Sequence, residues 1–233
     1  MKHFEFIPGD EKVIAPGRTV KRIRALVAIA ALGITPGTTG GYVEKVENLS
    51  GNAWVSGDAR VYGDARVSGD ARVSGDAWVS GDARVSGDAR VYGNARVSGD
   101  AWVYGDAQVS GDAWVSGDAQ VYGNAWVSGN AWVYGDAQVS GDAQVSGNAQ
   151  VYGNARVQQS QDHLQVGPAK SSGRFTTAHK DEKLGVRVNC GCFSGSVLQF
   201  SQRIEKTHAD SPEALQQYRL FCQLIEFNFG VKA

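Results

Sequence analysis

Arg60, Trp78, Arg96, Trp114 and Trp132 follow one another at intervals of eighteen residues, and Tyr134 and Tyr152 repeat the same interval two positions further on. These side chains have chemistry to offer at that spacing. A guanidinium over an indole makes a cation–π contact. An indole or phenol can stack a base or a sugar while an arginine holds a phosphate. Surfaces that expose several aromatic rings usually have a partner. These seven residues are the candidate ligand or interface residues.

The element that must position them is visible in the same stretch. From Gly51 to Gln158 the chain consists of eighteen consecutive hexads of the form G-[DN]-A-[RWQ]-V-[SY], broken only at Gln158, with no insertion and no proline. A period this strict identifies a solenoid. Within each hexad Ala and Val alternate with the variable residues, which is the period of a short strand with Ala and Val pointing inward. The Gly-[Asp/Asn] pair is the bend, because Gly adopts positive φ at no cost and Asn or Asp is the next most tolerant type. Three bends close a triangle of eighteen residues. Six such coils, about 4.8 Å apart, make a prism on the order of 29 Å long.

The pattern V-[SY]-G-[DN]-A-x resembles the hexapeptide repeat of left-handed parallel β-helix proteins, with the aliphatic, small and turn positions in register over residues 51–158. The left hand is implied by that resemblance and not by the period. The expected fold class is mainly β: a left-handed parallel β-helix of triangular coils, with an N-terminal β cap and a small C-terminal ββαα domain. The expected domains are 1–50 (cap and imperfect first coil), 51–158 (β-helix), 159–173 (linker) and 174–233 (α+β domain).

Residues eighteen apart share a face. Trp54, Arg72, Arg90, Gln108, Trp126 and Gln144 form the first, Arg60, Trp78, Arg96, Trp114, Trp132 and Gln150 the second, and Arg66, Arg84, Trp102, Gln120, Gln138 and Arg156 the third. All six tryptophans are expected outward. Three readings of these columns stand: Arg–Trp stacking and Arg–Asp pairing that keep a β surface soluble, an oligomer interface, or a ligand site. Hexapeptide β-helices commonly trimerise through one face, so the resemblance implies a homo-oligomer, with a trimer favoured. The twelve Asp of the turns lack the calcium-binding nonapeptide pattern and do not build an oxygen cage.

Many hexapeptide β-helices are acyltransferases that use a histidine near a subunit boundary. Here His occurs only at 3, 163, 179 and 208, all outside the hexads, and no loop interrupts the repeat. His163 is the candidate base if acyl transfer occurs. The C-x-C pair Cys190 and Cys192, with Cys222 and His208 distant, could suggest zinc. The competing reading places three inert thiols among apolar neighbours, with Val186, Val188, Cys190 and Cys192 on one strand face. No catalytic residue, metal or cofactor is expected.

A solenoid exposes apolar rings and strand edges at its ends, so the fifty residues before it read as a cap, with "HFEFI", "KVIA" and "TVKRIRALVAI" as strands and Val43 and Leu49 on the Val column. The apolar run Ala25–Ile34 is too short to span a bilayer and lacks a cleavage site. Beyond the linker, two strands precede a helix from about Ser196 and a second one opening at Ser211-Pro212-Glu213.

With 23 Lys+Arg against 24 Asp+Glu, net charge −1, a strongly basic nucleic-acid binder is excluded. Three cysteines, an odd number, fit a reducing compartment. The segments "GRTVKRIRAL", "GGYVEKVENLSGNAWVSGDA" and "VNCGCFSGSVLQF…THAD" resemble bacteriophage- and prophage-encoded hexad-repeat proteins of unassigned activity. That resemblance implies a viral or prophage origin and the bacterial host cytoplasm. The expected function is a non-enzymatic, oligomeric binding or scaffold protein acting on a host factor. Alternatives are a sequestering protein for a nucleotide-like ligand and an acyltransferase-like enzyme. Neither membrane nor nucleic acid is expected as a partner.

Overall fold

The computed structural model describes residues 3–181 and 183–232. The chain divides into two compact units, Met1–Gly153 and Asn154–Ala233.

In the first unit each hexad contributes one two-residue strand, from β4 (Trp54–Val55) onward to β20 (Gln150–Val151). Every strand pairs in parallel with the one eighteen residues away, as in Arg60 with Trp78 and Val61 with Val79. Three strands therefore complete a turn, and the interior is a stack of Val and Ala with essentially no exposed surface. Burying each valine contributes roughly 1.5 kcal/mol or more, repeated at every rung. The second face is one continuous sheet that the N-terminal strands join; the first face runs from β4 to Gln144–Val145.

Among the described residues only glycine has positive φ. The Asp/Asn position is thus not needed for a left-handed conformation, contrary to the sequence reading. Its side chains instead run along the corners: Asn52 Nδ2 donates to Asp70 Oδ1 at 2.8 Å, and Asn94 Nδ2 to Asp112 Oδ1 at 2.9 Å. Glycine is required twice over. At Gly111 φ is +67°, and a Cβ there would stand 2.9 Å from the Gly129 carbonyl oxygen of the next turn.

The cap is a bulged antiparallel hairpin of β1 (Phe4–Ala15) and β2 (Arg18–Ala25). Strand β3 (Thr39–Val43) pairs antiparallel with β2 and parallel with Arg60–Val61, so it converts one sheet type into the other. Val43 lies beside Val61 and Leu49 beside Val67, on the Val column. The apolar run Ala25–Ile34 folds back on itself, with Ile29 bridging Ile34 around a short 3-10 turn, Ala30–Leu32. Asn48, fully buried, donates to the carbonyls of Ala65 (2.7 Å) and Gly63 (3.1 Å), filling acceptors that the first turn would leave open.

The second unit begins with the last hexad strand, β21 (Arg156–Val157). Residues 159–173, read from sequence as a linker, contain a 3-10 turn at Ser160–Asp162 and a strand, β22 (His163–Val166). That strand opens a four-stranded antiparallel sheet with β23 (Thr176–Asp181), β24 (Gly185–Cys190) and β25 (Phe193–Ser196). Two helices, α1 (Val197–Thr207) and α2 (Pro212–Phe229), complete it. Ser196 caps α1 by a reciprocal box with Gln199, whereas Ser211 makes no side-chain cap to α2. The core joins Ala178, Val188, Phe200, Ile204, Tyr218 and Ile225.

Candidate functional site

Five of the seven candidate residues, Arg60, Trp78, Arg96, Trp114 and Trp132, lie in the second face of the first unit, and Tyr134 and Tyr152 directly follow its strands Trp132–Val133 and Gln150–Val151. Stacking fixes them: rigid β4-to-β20 rungs repeat at one strand spacing, so side chains in one column meet without searching rotamers over long loops. Arg60 and Arg96 bracket Trp78, their guanidiniums 5.0 and 5.1 Å from its ring centroid. Tyr62 meets Trp78 edge-on at 6.4 Å. One turn on, Trp114 and Trp132 form an edge-to-face pair at 5.4 Å and 71°. Trp114 Nε1 donates to Ser98 Oγ at 3.1 Å, which anchors the indole while leaving it 37% exposed; Trp132 is 45% exposed. Tyr134 and Tyr152 are stacked, 5.2 Å apart and 8° from parallel. Burial, and then the neighbouring Tyr152, pushes the Tyr134 hydroxyl above its ordinary pKa.

The structure extends this ladder beyond the sequence reading. Tyr42 pairs with Arg60, and Arg22 lies over the Tyr42 ring at 4.3 Å while donating to its hydroxyl at 2.7 Å. Arg22 also pairs with Asp10 (2.9 Å) and Asp58 (3.2 Å), which fixes the cap to the first turn. Tyr42 lies outside the hexads, and only its offset of eighteen from Arg60 could have revealed it.

Trp54 corrects the expectation that all six indoles face outward. It is 3% exposed and its Nε1 is buried without a hydrogen-bond partner. The cap lies on it: a Cβ at Gly40 would come 2.9 Å from the Trp54 ring. The third face, ranked lower from sequence, carries a ladder of its own, with Arg84 over Trp102 at 4.7 Å and Tyr104 stacked on Tyr122 at 4.9 Å. What sets the second face apart is its adjacent exposed indoles.

In the second unit His163 stands directly opposite His179 across β22 and β23. His179 is buried with Nε2 unpartnered, and burial, reinforced by His163, depresses its pKa to about 4. Among the described residues no three His, Cys, Asp or Glu side chains gather to hold a metal. The thiols differ from one another. Cys222 is buried, its pKa pushed up to about 11 by burial and by Glu226; Cys190 is half-buried. Cys192 is exposed, because the tight Gly191-Cys192 turn joining Cys190 to Phe193 ends the strand alternation that would have hidden it. No helix among the described residues is long and apolar enough to cross a membrane.

A search of curated proteins gives no match to the chain. The family model of the YdcK beta solenoid repeat matches residues 65–81, 89–105, 119–135 and 149–161, each stretch beginning at the alanine of a hexad. Over these stretches the chain is similar to that solenoid repeat, and the match lies within and just past the hexads that build the ladder described above.

Proposed function

We propose that the protein is a non-enzymatic binding or scaffold protein. Its solenoid is a rigid ruler whose second face docks other protein surfaces, first of all further copies of itself, as a homo-oligomer and most simply a trimer. The observation that carries this reading is the Trp114–Trp132 pair: two neighbouring indoles, each more than a third exposed, beside the Tyr134–Tyr152 stack on a flat β face. Aromatic residues of this kind are enriched at interface centres and dominate their energetics. The hexads themselves contain no His, Cys, Lys or Glu, so they lack the usual nucleophile–base pairs. The flanking segments' resemblance to phage and prophage proteins supports a role in the bacterial host cytoplasm, with a host protein as the further partner.

Light scattering after size exclusion tests the assembly. At micromolar concentration the chain runs as an oligomer, and the Trp114→Ala/Trp132→Ala double variant falls to the monomer mass while remaining folded. A strictly monomeric wild-type mass removes the assembly.

One observation favours a second reading, sequestration of a nucleotide-like anion. Arg60 and Arg96 flank an indole on both sides, and a guanidinium stacked on a ring keeps its in-plane donors for phosphate. A ligand at 100 times its dissociation constant adds about 2.7 kcal/mol of stability. A thermal-shift screen of nucleotides therefore gives a shift that Arg96→Ala abolishes; a flat screen, or a shift that survives Arg96→Ala, sets this reading aside.

A further inference from the structure

The second unit contains a cavity of about 370 Å³ beside the turn joining β24 to β25 and helices α1 and α2. That volume is at the lower end of the range for small-molecule sites. Phe193 and Phe200, 5.3 Å apart, give it an apolar floor. His208 stacks on Tyr218 at 4.8 Å and 16°, forming a flat wall, and the Tyr218 hydroxyl is 3.0 Å from Ser172 Oγ.

Its charge is one-sided. Arg174 and Arg203 line it, and among the described residues no carboxylate does. The contrast with the neighbouring arginines is informative. Arg187 holds Asp181 at 2.7 Å and Arg219 holds Glu205 at 2.6 Å. Among the described residues Arg174 and Arg203 have no acid partner. Arg174 is also placed by the fold. Its guanidinium lies over Gly191, where a Cβ would come within 2.8 Å of Nη1 and 3.2 Å of Cζ. Two guanidiniums lining one cavity without an acid favour an anion that accepts from both.

We propose that this cavity binds a small organic anion of mononucleotide size, its phosphate held by Arg174 and Arg203 and its planar ring packed against His208 and Phe193. The site shares no residue with the second face of the solenoid, and the proposal does not rest on what that face binds.

Titration calorimetry of the full chain with AMP, adenosine and inorganic phosphate tests it. AMP binds, adenosine binds more weakly, and affinity for AMP falls as salt rises. Losing a charge-assisted hydrogen bond costs about tenfold or more in affinity, so Arg174→Gln and Arg203→Gln each weaken AMP by at least that much. Arg96→Ala leaves it unchanged, which separates this site from the second-face reading. A second measurement needs no variant: because Cys192 lines the cavity, saturating AMP slows its alkylation by iodoacetamide. Absence of AMP binding at millimolar concentration overturns the proposal. So does binding that ignores both arginine substitutions, or an alkylation rate that AMP does not change.

Discussion

The guanidinium of Arg96 stands 5.1 Å from the ring centroid of Trp78, one turn of the solenoid away, and Arg60 mirrors it from the other side. Cation–π contacts of this kind contribute about 0.5–1 kcal/mol each at exposed sites. Trp78→Ala, which removes both, is expected to destabilise the solenoid by about 1–2 kcal/mol in urea unfolding. In a double-mutant cycle, Arg60→Ala and Arg96→Ala should lose most of their effect once Trp78 is absent. Full additivity would mean that the rings and cations merely share a column.

Glycine at the corners has two separable roles, and two positions isolate them. At Gly147 φ is +65° and no atom stands within 4 Å of a would-be Cβ; at Gly111 φ is +67° and the Gly129 oxygen is 2.9 Å away. Gly147→Ala therefore carries the conformational cost alone, about 1–2 kcal/mol. Gly111→Ala carries that cost and the clash with the next turn, so its midpoint in urea should drop distinctly further. Equal shifts at the two sites would remove stacking from the account.

The three thiols should report their surroundings through reaction rate, since the thiolate is the reactive form. Cys192 is exposed and is expected to react with a disulfide reagent within the first phase. Cys222 is buried and its pKa is pushed up to about 11, so it should react only when the second unit opens. Native labelling of Cys222 at the rate of Cys192 would contradict this packing.

The solenoid was legible because its determinants are local and repeated. One hexad states the turn, the inward pair and the outward pair, and seventeen others repeat it; Val43 and Leu49 could be placed on the Val column by counting alone. The errors fall where that repetition ends. Trp54 occupies a hexad position like any other indole, but residues 14 places away in sequence, at Gly40, cover it, and nothing in the hexad signals a cap. His163 to Val166 read as linker because four residues give too short an alternation to stand out; their pairing with β23 supplies the missing constraint. Cys192 shows the same limit within two residues: alternation predicts burial until a tight turn interrupts it. The cavity of the second unit was hidden for a further reason. Arg174 and Arg203 are separated in sequence by most of that unit's sheet and line one cavity only once α1 packs back on it.

His179 makes the second unit sensitive to acid. Its ring is buried in β23 opposite His163, with Asp181 and Arg187 nearby, and its pKa is lowered from 6.5 to about 4, chiefly by burial and then by His163, against the opposing pull of Asp181. In the unfolded chain the same histidine titrates near 6.5. Above that value neither state holds the proton, and the neutral ring contributes its full packing. As pH falls through 6.5 the unfolded chain takes up a proton that the folded unit refuses, so stability declines continuously until about pH 4, where the folded ring also protonates. Linkage puts the loss on the order of 3 kcal/mol across that window. Urea midpoints for the second unit, followed by the NMR methyl signals of its core residues Val188, Ile204 and Ile225, should fall between pH 7 and pH 4.5. His179→Leu, which fills the site without a titratable group, should flatten that dependence while leaving the solenoid's own pH profile in place. A slope that survives in His179→Leu would move the acid sensitivity to another group.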